Sequence, residues 1–94
     1  MGYTDIKSFL SAIKDLEIKS IRAGIKTVYV DDSYSLSYGI VSALVFYDDR
    51  VEIHYTIEKT NSDRKLKDLI QKAAFDIGLN SSSFELKMGS FYDV

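Results

Sequence analysis

The chain has 94 residues, 46% of them apolar, and a net charge of −2 at neutral pH. That length bounds it to a single domain, 1–94, able to bury roughly 60–65% of its unfolded surface and fold without staples. The absence of cysteine removes disulfides, thiolate nucleophiles, Zn–Cys sites and iron–sulfur clusters together.

No run approaches the ~20 apolar residues of a membrane span. The opening MGYTDIKSF lacks the apolar region of a signal peptide, and Ile6 stands where a myristoylation signal wants Ser or Thr. A reducing, cytoplasmic setting is the expectation.

Residues 4–17 read as a helix. Ile6, Phe9, Leu10, Ile13 and Leu16 form one stripe, with Thr4 as N-cap and Asp5 at the positive end of the dipole. Residues 20–30 alternate as a strand: Ile21, Ala23, Ile25, Thr27 and Tyr29 share one face, and Gly24 marks a bulge or close approach. DDSYSLS at 31–37 reads as a polar loop.

Tyr38 to Lys59 is a hairpin turning at Asp48-Asp49. A two-residue turn pairs Tyr47 with Arg50, Phe46 with Val51, Leu44 with Ile53, Ser42 with Tyr55 and Ile40 with Ile57. Those last four pairs make an almost wholly apolar face, expected to lie under the helices. The other face carries Val41, Ala43 and Val45 opposite Thr56, His54 and Glu52. The first strand is apolar on both faces, so it reads as central.

Thr60-Asn61-Ser62 is cap chemistry for a second helix running to about Ile77, with Leu66, Leu69, Ile70, Ala73 and Ile77 as its stripe. Gly78 followed by Leu79 predicts a Schellman ending. Phe84, Leu86 and Met88 make a last short strand. The order is α-β-β-β-α-β, and the expected class is α+β: two amphipathic helices packed on one face of a three- to four-stranded antiparallel sheet.

Candidate chemistry is sparse. His54, the only histidine, has Glu52 beside it on an outward face, which falls short of the three or four ligands a metal site needs. Asp31-Asp32 and Asp48-Asp49 read as turn chemistry at opposite ends of the sheet. No nucleophile–base pair is present, so no catalytic residue, cofactor or metal ligand is assigned and the chain reads as a non-enzyme.

Arg64, Lys65, Lys67 and Lys72 lie on the second helix. With the element order, RKLKDLIQKAAFDIGL resembles the double-stranded-RNA-binding domain over residues 4–79. That resemblance implies nucleic-acid binding through the four basic residues. The chain departs from the pattern in having no Gly-Pro-x-His-like element at 31–37 and no Gly-rich turn before the helix, and Asp63 and Asp68 dilute the charge.

Tyr34, Tyr38, Tyr47 and the tail's Tyr92 suit a contact surface, because tyrosine buries area while keeping a polar end. The leading expectation is a non-catalytic interaction module that meets a protein partner, or itself as a homodimer. Its contacts are expected through Tyr34, Tyr38, Val41, Ala43, Val45, Tyr47, Asp48, Asp49, Glu52 and His54. The element order is also similar to that of one small anti-CRISPR inhibitor type. That likeness implies a viral or mobile-element accessory protein that inhibits or sequesters its partner. An acidic edge of Asp31, Asp32, Asp48, Asp49, Glu52 and Glu58 would serve such a role.

Overall fold

The computed structural model describes residues 1–89. The elements are β1 (Gly2–Tyr3), α1 (Ile6–Ile13), β2 (Glu17–Asp31), β3 (Tyr34–Tyr47), β4 (Arg50–Glu58), α2 (Asp63–Asp76), a 3-10 turn at Ser81–Ser83 and β5 (Leu86–Met88). The class is α+β, as expected. The sheet differs in detail: it has five strands in the order β1-β4-β3-β2-β5 and is mixed. β1 runs parallel to β4, and β5 parallel to β2. β5 falls within the last short strand expected from Phe84, Leu86 and Met88, while β1, two residues long, is too brief to show a period. Phe91 and Tyr92 lie outside the described residues.

The hairpin forms in the predicted register, from Tyr47 opposite Arg50 to Ile40 opposite Ile57, and β3 is the central strand. Asp48 takes the left-handed backbone that the tight turn demands, at φ 55°. Residues 31–37 are not a loop. β2 and β3 pair out to Asp31 and Tyr34, and only Asp32 and Ser33 turn. The Asp31 carboxylate makes that turn by accepting from the Ser33 N–H at 2.8 Å and its hydroxyl at 2.9 Å. The pairing runs unbroken past Gly24; the register shifts fall at Lys19 and Val30 instead.

α1 is capped by Asp5 rather than Thr4, its Oδ1 taking the Ser8 N–H at 2.7 Å. Ser62 caps α2. The predicted Schellman ending is present: Gly78 has φ 74°, the Leu79 N–H donates to Ala74 O at 2.9 Å and the Gly78 N–H to Phe75 O at 3.2 Å. Ile6, Phe9, Leu10 and Ile13 are buried as read. On α2 the buried set is Leu66, Ile70, Ala73 and Ala74, while Leu69 is exposed.

Both helices cover one face of the sheet, α1 against β4 and α2 against β2. It is the face opposite to the one expected. Val41, Ala43 and Val45 lie in the closed core with Ile21 and Ala23, and the richer apolar face is left open. The physical reason is volume. Ala23, Gly39 and Ala43 let helices approach: a Cβ at Gly39 would stand 2.9 Å from Leu66 Cδ1. A face of Leu44, Phe46 and Tyr55 would hold them away.

Candidate interaction surface

The open face is built by the alternation of β3 and β4. Side chains at even positions of β3 and odd positions of β4 point away from the helices. Val51 is 51% exposed, Ile53 62%, Tyr55 45% and Ile57 51%. Leu36, Tyr38, Ile40, Leu44 and Phe46 stand beside them at least partly exposed. No charged side chain interrupts the β3 and β4 rows. These apolar side chains form one contiguous exposed patch rather than the single scattered ones that any surface shows. No element among the described residues covers it.

Cations stand at its border. The Lys19 ammonium lies 5.7 Å from the centre of the Phe46 ring. Tyr55 reaches over Gly2, where an added Cβ would meet the ring at 3.0 Å. Beyond β4 the β2–β3 pair continues as a two-stranded arm, with Val28, Tyr29, Val30, Tyr34 and Leu36 exposed. At its root a hollow of about 830 Å³ is lined by Leu36, Tyr38, Ile57 and Lys59 among others.

The residues expected to bind a partner are thereby separated. Tyr38 lies on the open face, half-buried, and Tyr34 near the arm tip. Tyr47, Asp48 and Asp49 sit at the opposite end, where the Arg50 guanidinium stacks 4.9 Å from the Tyr47 ring. Val41, Ala43 and Val45 are 0–1% exposed and meet the helices, so they cannot meet a partner. Glu52 and His54 also point to the helix side, so the outward placement expected for them is corrected. The acidic residues form no single edge: Asp31 and Asp32 are at the arm tip, Asp48 and Asp49 at the far turn. Arg64, Lys65, Lys67 and Lys72 are exposed along α2, in the other layer of the molecule.

His54 is 3% exposed and both ring nitrogens are engaged. Tyr3 Oη lies 2.8 Å from Nδ1, and Nε2 lies 3.1 Å from Glu52 Oε1. With the tyrosine donating, the imidazole carries its proton on Nε2 and gives it to the carboxylate. That hydrogen bond, followed by the Arg50 guanidinium at 3.1 Å, holds the Glu52 carboxyl below its ordinary range. The Thr56 hydroxyl donates to Tyr3 O at 3.0 Å. The group fastens β1 to β4. Among the described residues no three His, Cys, Asp or Glu side chains gather to hold a metal ion. A cleft of about 640 Å³ between α1 and α2 carries a mixture of charges, Asp5, Glu58, Lys72 and Asp76 among them.

Sequence reading missed Phe46, Val51, Ile53, Tyr55 and Ile57 as surface because it placed them in the core. The signal that would have found them is the size difference between the two faces of β3. No helix among the described residues is long and apolar enough to cross a membrane. No protein-family model matches the chain, and no curated protein matches it.

Proposed function

We propose that the chain is a small non-catalytic interaction module that binds protein through the open face of β3 and β4. The observation that supports this is the uncharged apolar row centred on Ile53 and Tyr55, uncovered within residues 1–89. Exposing so large an apolar surface costs solubility unless a partner removes it from water. An apolar face built from two long paired strands suits contact over area better than chemistry. Inhibition or sequestration of that partner, in a cytoplasmic setting such as a viral or mobile-element accessory protein would occupy, belongs to the same proposal. The rival reading is nucleic-acid binding through Arg64, Lys65, Lys67 and Lys72, whose charge is diluted by Asp63, Asp68 and Asp76 on the same helix.

Photo-cross-linking separates the two. A benzophenone side chain replacing Ile57 is expected to give a protein adduct, and one replacing Lys67 to give none. An adduct with RNA or DNA at Lys67, and none at Ile57, would overturn the proposal in favour of the rival.

A further inference from the structure

We infer that the open face is closed by a second copy of this chain, the two sheets stacked with their strands antiparallel. The inference rests on the interaction-module reading above and names its partner. The area is the first support. The open apolar face runs along the paired strands from Phe46 and Val51 to Ile40 and Ile57, and a stable interface of standard size takes roughly 800 Å² from each partner.

Chemistry is the second. The β3 and β4 rows carry no charge, so nothing in them selects a partner of opposite sign. Sheet faces pack about 10 Å apart by interleaving alternate side chains, and a two-fold pairing needs only one such surface, used twice.

Charge at the two ends is the third, and it sets the direction. At the turn end stand Asp48, Asp49 and Glu17, all exposed, against Lys19 on the Phe46 ring, which leaves that end acidic. Arg50 at that end is turned to the other face, on Glu52 and the Tyr47 ring. At the opposite end stand Lys26, paired with Tyr38, and Lys59, one residue beyond the Gly39–Glu58 pair and so level with Tyr38. The β3–β4 segment is centred on Ala43 opposite His54. Tyr38 is as far from Ala43 along β3 as Asp48 is on the other side. A two-fold axis between the faces, perpendicular to the strands at Ala43, therefore lays each acidic turn over the partner's lysine pair. An axis along the strands would lay acid on acid. Complementary ends fix register and orientation.

Light scattering on the full chain tests this. The expected mass is twice 10.7 kDa. Ile53→Lys is expected to give a monomer with unchanged circular dichroism, since Ile53 is 62% exposed in the single chain. Lys26→Glu with Lys59→Glu is expected to weaken the dimer about tenfold or more, and adding Asp48→Lys and Asp49→Lys to restore it. A wild-type chain that stays monomeric at every concentration overturns the inference, as do dimers that survive Ile53→Lys. Failure of the double reversal to restore association overturns the antiparallel arrangement. For a monomeric wild type, a cross-link from Ile57 to a different protein keeps the interaction-module reading while overturning the self-association. No cross-link, with Phe91→Lys raising the uptake of an apolar dye, assigns the face to the C-terminal residues and overturns both.

Discussion

Tyr3 Oη lies 2.8 Å from Nδ1 of His54, and their rings stack with centres 5.6 Å apart, so a side chain in a two-residue strand is what satisfies the buried imidazole. Tyr3→Phe keeps the stacking and removes the donor. It leaves a buried ring nitrogen without a partner, at a cost of about 1–3 kcal/mol. Urea unfolding at pH 7 measures the difference; a variant as stable as the wild type would show that the hydroxyl is not what holds the strand.

The two faces of β3 are told apart by a pair of substitutions. Ala43→Arg puts a guanidinium beneath the helices at a position 1% exposed, with no acceptor provided, and is expected to cost upwards of ~4 kcal/mol or abolish folding. Ile53→Lys on the opposite face is expected to change the stability of the single chain by no more than about 0.5 kcal/mol. Circular dichroism and denaturant midpoints, read at concentrations where the chain is monomeric, check both.

Acid sensitivity follows from Glu52. Its hydrogen bond from His54, then Arg50, lowers its folded pKa below the ordinary 4.5. A lowered carboxylate contributes stability that is present above the unfolded value and lost as pH falls through the folded one. Asp5, bonded by the Ser8 N–H, and Asp31, bonded by the Ser33 N–H, are lowered from 3.8 and add to the fall with the same sign at lower pH. Stability is therefore expected to fall below about pH 4.5, and Glu52→Gln to flatten that fall while leaving the Asp5 and Asp31 part. Denaturant midpoints between pH 3 and 7 give the slopes; identical slopes would remove Glu52 from the account.

Gly78 ends α2 at φ 74°, and nothing but the Lys14 ammonium, 3.8 Å from an ideal Cβ, crowds the site. Gly78→Ala therefore isolates the backbone cost of a left-handed residue, about 1–2 kcal/mol. A thermal or urea midpoint equal to wild type would mean the ending had rebuilt in another form.

What sequence could reach was whatever local chemistry decides. The Asp48-Asp49 turn set the register of Leu44 against Ile53, the stripe of Phe9 and Ile13 set the first helix, and Gly78-Leu79 set the end of the second. The face assignment lay beyond it. Alternation shows that two faces differ, and both faces of β3 are apolar, so the choice fell to the more oily one. The folded chain chose by size, since helices approach Gly39, Ala43 and Ala23 more closely than they could approach Phe46 or Tyr55. Polar His54 and Thr56 count against a buried face until Tyr3 supplies their partners, and nothing periodic announces a strand as short as β1. The expected contacts at Val41, Ala43 and Val45 therefore fall on the side that the helices occupy. The mostly polar run at 31–37 conceals a strand pair because only Asp32 and Ser33 do the turning.

The short strands at the two margins bear on assembly. Met1 and β1 engage the rim of β4, with the Met1 ammonium 2.8 Å from Ile53 O and the Tyr55 N–H 2.9 Å from Met1 O. β5 and Gly89 do the same for β2 as far as Ala23. An incoming strand would have to displace these bonds before it could extend the body of the sheet. Growth of the body sideways into a fibre is thus obstructed, and a chain with so adhesive a surface is steered toward a closed complex of fixed stoichiometry.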